Sequence, residues 1–403
     1  MSINTFTRWG VVASGEGGGR IASQFVQGTE NPGIDGRILA MNTNRADLRN
    51  TLDRMEKNLP SGDENVDLMQ EYGLEFGSQQ GAGNFWPNGE TCAKEALKRI
   101  VNKIGDSFDN TDAFMHIATV GGGTGNGSIP YTIKQFKNGF EDLTESPSQE
   151  WMNSVIHTTF AVWPYYYEQP QRHFNAICGL SRLLRNEDGS QNADLVLLAS
   201  NSHLSSEDAG GNGQYDSVNS AVIRAVDMMI GAGRETRSVI DIKDYVTLPS
   251  QMDAYHFTPA IATDLNGDVY ELDFMADKAA ENTFVPLELG TSSVVYMIVR
   301  APESMIDEGD ITEPEVYKAY QKWTDKHDIN AAGQATLTPK PGRGENVDVM
   351  LLLGGFDLNP LLDHSWDQFD QLSGRLTDDE KLPQARLDKI QTNIEDYVKK
   401  NSE

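Results

Sequence analysis

The chain has 403 residues, enough for two or three domains at about 150 residues each. Apolar residues make up 38%, and 37 glycines come on top, which suffices for a sizeable core and excludes general disorder. The formal net charge of −27 argues against nucleic acid and anionic membrane surfaces as partners, because both call for a basic face.

Two cysteines, Cys92 and Cys178, make neither a disulfide framework nor a thiolate metal site. The first 20 residues lack the apolar core of a signal peptide. The longest obvious apolar run, Val294 to Val299, is far too short to span a bilayer. A soluble, cytoplasmic protein is expected. The acidity is spread along the chain, as suits a dense acidic surface in a high-salt cytoplasm.

Short apolar strands alternate with periodic helices in the first half. Trp9 to Ala13 reads as a buried strand, followed by a Gly-rich turn and a helix from about Arg20. Arg37 to Met41 is a second strand. Helix 91–104 puts Ala93, Ala96, Leu97, Ile100, Val101 and Ile104 on one face. Ala113 to Val120, Val155 to Val162 and Asp194 to Ala199 are further strands, with helix 171–185 before the last. This alternation predicts a parallel doubly wound α/β sheet, whose ligands sit beyond the carboxyl ends of its strands.

A long helix is expected from about Asp216 to Ile230, carrying Val218, Val222, Val226 and Met229 on one face. After it the texture changes. Leu287 to Ala301 and Val347 to Gly355 read as strands of a second, mixed sheet, with a helix near Glu313 to Asp325 between them. The expected division is 1–213, a connecting helix 214–234, a second domain 235–371 and a helical tail 372–403. Leu387, Ile390, Ile394, Tyr397 and Val398 form a stripe in that tail. The stripe docks on the body, the commoner case, or on a regulatory partner.

Two glycine clusters sit where strands turn into helices. Gly15, Glu16, Gly17, Gly18, Gly19 and Arg20 form the first. Glycines let the backbone approach a pyrophosphate, and a helix start offers free N–H groups. Alone this pattern also fits a Rossmann dinucleotide enzyme, although the expected ribose-binding acid is not well placed. No Walker A pattern occurs. Gly121, Gly122, Gly123, Thr124, Gly125, Asn126 and Gly127 form the second cluster. A turn needs one or two glycines, not five, so this run reads as a cradle for a di- or triphosphate. Thr124 is its side-chain donor.

GGGTGNG resembles the signature GGGTGSG of the superfamily of tubulin, FtsZ, TubZ and the archaeal CetZ proteins. Other segments fall in the same order over residues 8–245. Gly15 to Arg20 resembles the first nucleotide loop, with Glu16 where Gln is usual. Asn42-Thr43-Asn44, with Asp47-Leu48 behind it, resembles the second. Gly81, Ala82, Gly83 and Asn84 resemble the third, which in the family reads the γ-phosphate; Phe85-Trp86-Pro87 after it is unusual. Pro164, Glu168 and Arg172 resemble the fifth loop. Asn201, Tyr215 and Asn219 match the family's guanine-reading positions, and Ser220 departs from the Asp of FtsZ. Within the superfamily the acidic composition and the N-A-D-L stretch look most like CetZ or a divergent haloarchaeal relative.

The resemblance also implies a role for Asp241 and Asp244, two acids three apart after the long helix. In the family such acids serve the nucleotide of the neighbouring subunit. The usual Asn before them is Val239 here. Taken alone, the pair reads as an acidic first turn that favours a helix dipole. With the family it reads as the catalytic pair. The implied protein is a GTPase that binds GTP or GDP with Mg²⁺ and polymerises head to tail, serving cell shape, division or DNA segregation. A non-hydrolysing nucleotide binder that modulates filaments and the dinucleotide enzyme are the alternatives. His116 and His157 read as satisfied core histidines, Tyr165 to Tyr167 as packing over the site or an interface, and Trp86 as a filament contact.

Overall fold

Alternation along the strands sets the layers. In β1 (Trp9–Ser14), Val11 and Ala13 join one buried cluster and Val12 the other, because successive side chains point to opposite faces. The computed structural model describes residues 7–27, 33–34, 36–59, 66–77, 79–108, 111–145, 150–205, 213–232, 240, 242–264, 271–340 and 346–402. After β1 come α1 (Gly15–Ala22), β2 (Ile38–Asn42), α2 (Arg45–Asn58), α3 (Leu68–Tyr72), β3 (Gly73–Glu75) and α4 (Trp86–Ser107). The first half continues with β4 (Ala113–Thr119), α5 (Thr124–Lys137), β5 (Ile156–Trp163), α6 (Pro170–Leu184), β6 (Leu195–Ser200) and α7 (Asn201–Leu204). The long α8 (Gly213–Gly231) leads to α9 (Asp244–Met252), β7 (His256–Thr263), α10 (Leu272–Ala280), β8 (Val294–Pro302) and α11 (Glu303–Glu308). Last come α12 (Glu313–Lys326), β9 (Ala332–Lys340), β10 (Asp348–Gly354), α13 (Asn359–Leu376) and α14 (Gln384–Ser402).

Among the described residues the strands form one sheet in the order β3-β2-β1-β4-β5-β6-β7-β10-β8-β9. From β3 to β6 all pairs are parallel, so their carboxyl ends share one edge. Two sheets were expected, but one results. β7 pairs with β6 at only Val196↔His256 and Leu197↔Phe257, and β10 lies antiparallel between β7 and β8. That two-residue seam is too short for periodicity to reveal. β7 and β9 were not expected as strands, since β7 carries Pro259 and β9 holds few apolar residues.

In the first half β1, β2, β4, β5, β6, α4 and α6 lie within a few residues of expectation, whereas β3 and α2 were not expected. One difference matters: α1 begins at Gly15, not near Arg20, so the glycine cluster is itself helical. Packing demands those glycines. A Cβ at Gly18 would sit 2.5 Å from the Ile117 carbonyl oxygen, and one at Gly19 would sit 2.6 Å from Thr51 Oγ1. The boundary expected at residue 371 falls inside α13, which packs on α6. Phe174 of α6 stacks on Phe369 of α13 at 5.2 Å. The C-terminal stripe docks on this chain's own body. Its five apolar residues are buried, and Ser181 of α6 donates to the Ile390 carbonyl at 2.6 Å. No described helix is long and apolar enough to cross a membrane.

Four histidines are fully buried: His116, His157, His173 and His256. His116 Nε2 and His157 Nδ1 lie 3.1 Å apart, and His157 Nε2 donates to the Met152 carbonyl. His256 sits between Tyr397 Oη and the Phe356 carbonyl. Burial lowers His157 and His256 to about 4 each, and lowers His116 as well. A folded pKa below the unfolded value of about 6.5 means that the unfolded chain takes up protons first as pH falls. The stability that His157 and His256 allow is complete above pH 6.5 and is lost on descent toward 4, by on the order of 3 kcal/mol for each of these two imidazoles. Thermal unfolding in concentrated KCl should show the midpoint dropping across this window. A flat midpoint from pH 7 to 4.5 contradicts the account.

Helices α4 and α5 touch backbone to backbone at Gly127, where a Cβ would lie 2.3 Å from the Trp86 carbonyl oxygen. Gly127→Ala should destabilise the fold by about 1–3 kcal/mol through overpacking. At Gly122 a Cβ would meet nothing closer than 3.7 Å. In a denaturant titration Gly127→Ala should lower the unfolding midpoint and Gly122→Ala should leave it unchanged.

Candidate functional site

The carboxyl edge of β1, β2, β4, β5 and β6 opens onto a cavity of about 780 Å³. Helix starts make one wall. α1 follows β1 directly and turns on Gly15, whose φ of +78° favours glycine. Its N-cap Ser14 makes no side-chain cap, and neither does Gly123, the N-cap of α5. The first-turn N–H groups of both helices therefore lack a capping side chain. A Cβ at Gly125 would stand 2.5 Å from the Ser14 carbonyl oxygen, so the two starts touch. Two positive helix ends meeting at one point make an anion site. Thr124 Oγ1 opens α5 and hydrogen-bonds Thr43 Oγ1 at 2.6 Å.

The loop from Gly81 to Asn84 closes the wall. Gly81, Gly83 and Asn84 all have positive φ, at 90°, 62° and 54°. For Asn84 this is a strained region, held by its surroundings. Its carbonyl accepts from Gln171 Nε2 and Asn175 Nδ2, each at 2.9 Å. Asn175 Nδ2 also reaches the Gly121 carbonyl at 3.0 Å. One buried amide thus ties this loop to the glycine turn.

The charges are mixed. Arg20 pairs with Glu16, and Arg172 stands 3.7 Å from Glu168. Burial raises Asp47, and the neighbouring Glu16 raises it further. Burial also raises Glu168, whose Oε2 accepts from Tyr165 N. All five groups line the cavity. Asn42 lines it too, and its buried Nδ2 has no partner among the described residues. A phosphate oxygen satisfies such a donor. Three carboxylates around an anion call for a cation between them, so the lining fits a polyphosphate carried with a divalent metal.

At the other end stand Asn201, the first residue of α7, and Tyr215 and Asn219 of α8. Tyr215 meets Tyr165 edge to face at 5.4 Å, and Tyr165 stacks on the exposed Tyr167 at 4.9 Å. Burial pushes the Tyr165 hydroxyl up to about 12. A flat ring and two amides suit a heterocyclic base.

Most residues singled out from the sequence meet here: Gly15, Glu16, Gly17, Arg20 and Asn42 from the first two strands, and Gly81 to Asn84. So do Gly121 to Gly125, together with Pro164, Glu168 and Arg172. Four do not line the cavity. Gly18 and Gly19 are packing positions, as described above. Gly127 packs on α4, and Asn126 is buried with its Nδ2 bonded to the Val120 and Asn175 carbonyls. Asn44 of the second loop and Tyr167 line the cavity as well, and it adds Ile21, Gln80, Thr119 and Gln169. Asn175 was missed, although an Asn beside Phe174 and Ile177 on an apolar helix face was a signal.

Asp241 lies outside the described residues. Asp244 is the first residue of α9, and its carbonyl accepts from Tyr296 Oη at 2.7 Å. The adjoining Ile242 and Lys243 line a different cavity with Arg8, Asp112 and Ile156, at the amino ends of β1, β4 and β5. Strands of six to eight residues separate that edge from the first cavity, about 20–25 Å at 3.3 Å per residue. Trp86 is fully buried, so it makes no filament contact.

The sequence model of the "Tubulin/FtsZ family, GTPase domain" matches residues 9–207. No curated protein matches the sequence. Among solved structures the chain is similar to CetZ1 from Haloferax volcanii, a GDP-bound monomer, at TM-score 0.71 and 18% identity over 90% of this chain and 99% of that one. CetZ from Methanosaeta thermophila gives 0.69 and 16%, over 98% and 96%. CetZ2 from Haloferax volcanii, a GTPγS-bound protofilament, gives 0.67 and 17%, over 90% and 99%. At these identities the structures establish the shared fold. The chain belongs to the Tubulin/FtsZ family through residues 9–207, its GTPase domain.

Proposed function

We propose that the protein binds GTP in the carboxyl-edge cavity, assembles head to tail and hydrolyses the nucleotide at the joint between copies. The meeting of two uncapped helix starts, α1 and α5, carries this reading. Their N–H groups and those of the 121–125 turn take the phosphates, with Thr124 and Asn42 donating from side chains. The Gly81–Asn84 loop takes the terminal phosphate. Asn201 and Asn219 read the guanine edge, and Tyr215 covers its face. Mg²⁺ supplies charge neutralisation on the phosphates. Glu16, Asp47 and Glu168 are the carboxylates that orient its water ligands.

Asp241 and Asp244 of the next copy orient and polarise the attacking water. The placement of the Asp244 segment about 20 Å or more from its own chain's cavity supports a second copy as the donor. A contact joining opposite edges of the sheet is heterologous, and such contacts repeat into a filament. The solved protofilament of CetZ2 supports this assembly for a chain of the same fold. Loss of the terminal phosphate removes contacts of the Gly81–Asn84 loop and loosens the joint. The cellular service proposed is shape, division or DNA segregation.

Phosphate release from GTP, measured against protein concentration in molar KCl with Mg²⁺, should rise per subunit above a threshold concentration. Constant activity per subunit indicates a self-contained enzyme, and GTP binding without release supports the non-hydrolysing alternative. Asp241→Ala should bind GTP and assemble while releasing phosphate at least tenfold more slowly; normal turnover would sink the trans-acting acid. Thr124→Ala should weaken nucleotide binding about tenfold in equilibrium dialysis, the worth of one hydrogen bond to a charged oxygen.

A further inference from the structure

The unusual Trp86 and the C-terminal helix meet in the interior. Trp86 opens α4, two residues after the Gly81–Asn84 loop. Two guanidinium groups lie within 5 Å of its ring centroid. Arg182 of α6 is 4.0 Å from the ring centroid, and Arg386 of α14 is 4.9 Å from it. Both arginines share one carboxylate, Glu90, in the next turn of α4. Arg386 Nη2 reaches Glu90 Oε1 at 2.6 Å, and Arg386 Nε reaches Glu187 Oε1 at 2.7 Å. Arg182 Nη1 donates to the Asn126 carbonyl, inside the first turn of α5.

A second chain of contacts runs beside the first. Lys381, just before α14, donates to Asn88 Oδ1 at 2.9 Å. Asn88 Nδ2 donates to the Ala82 carbonyl at 3.1 Å. Ala82 lies inside the loop that holds three positive φ angles. A backbone in that state persists only while its neighbours over-determine it. The C-terminal segment supplies two of those neighbours indirectly, through Asn88 and through the start of α4.

Arg386 is also separable from the fold around it. Glu90 keeps Arg182 as a partner if Arg386 withdraws, so no buried carboxylate is stranded. Trp86 keeps one of its two cationic contacts.

We propose that Lys381 and Arg386 are positioning residues for the Gly81–Asn84 loop, so that docking of α14 and occupation of that loop by the terminal phosphate of a nucleoside triphosphate favour each other. The proposal rests on the nucleotide reading of the cavity given above. Coupling of this kind is reciprocal. The triphosphate tightens α14, and α14 tightens the triphosphate by the same factor. A diphosphate does not reach the loop and feels neither.

The test uses the full chain below its assembly concentration, with GTPγS and GDP as probes in equilibrium dialysis. Lys381→Ala and Arg386→Ala should weaken GTPγS binding about 5–20-fold while changing GDP binding less than twofold. Arg386→Lys should recover part of the loss, because it keeps the charge on Glu90 but loses the planar stack on Trp86. In the unmutated protein, GTPγS should slow amide hydrogen exchange over residues 384–402 more than GDP does. Equal losses for the two nucleotides mark a merely structural role and overturn the proposal. So does exchange in α14 that is the same with both. An unmutated chain that binds neither nucleotide overturns the nucleotide reading itself, a failure visible before any variant is made.

Discussion

Two helices start against each other at the edge of a parallel sheet, and the rest of the site is arranged around that contact. A helix start leaves N–H groups that need an acceptor, and neither Ser14 nor Gly123 provides a side chain for them. The starts can touch only because Gly15 and Gly125 carry no Cβ. The parallel order from β3 to β6 brings every other loop of the site to the same edge. Asn126 and Asn175 then pin the turns from behind with amide donors. The cavity is thus a backbone construction, and side chains chiefly hold it in shape.

This design suits a chain of net charge −27. Glu16, Asp47 and Glu168 face an anion site, and among the described residues only Arg20 and Arg172 line it as cations. The balance comes from fixed N–H dipoles, which cost no reorganisation and sit where salt screens least. The ion pairs that matter are also inside. Asp348 is almost fully buried and meets Arg224, Arg300 and Lys340. Burial alone would raise its carboxyl, yet these cations and the Thr263 hydroxyl hold it below the usual range. The cluster fastens α8 to β8, β9 and β10. Exposed pairs such as Lys98 with Glu145 contribute little by comparison, least of all in concentrated salt.

The C-terminal helices change how the two halves relate. By sequence the tail follows the second half, and by packing it covers the first. Phe369 and Tyr397 lie in the same buried cluster as Trp86 and Phe174. The seam between β6 and β7 spans two residue pairs, so helices carry much of the joining.

The sequence by itself determined β1, β2, β4, β5, β6, β8 and β10, the helices α4, α6, α8 and α12, and most of the residues that line the cavity. Those features are written locally. Apolar runs between glycines, a 3.6-residue period and the GGGTGNG run each depend on neighbours a few positions away. Fifteen and nineteen residues after β6, Tyr215 and Asn219 could be placed only through a family resemblance, and the fold then brought them to the cavity. Tertiary structure alone decided which glycines face the cavity and which face a neighbouring carbonyl, because Gly17 and Gly18 are adjacent yet do different work. It decided that Trp86 is buried against Arg182 and Arg386, residues about 100 and 300 positions away. It also fused the expected second sheet to the first through β7. The physical reason is common to all three. Periodicity reports which face of an element is apolar, while the partner on that face is fixed only when distant segments compete for the same buried space.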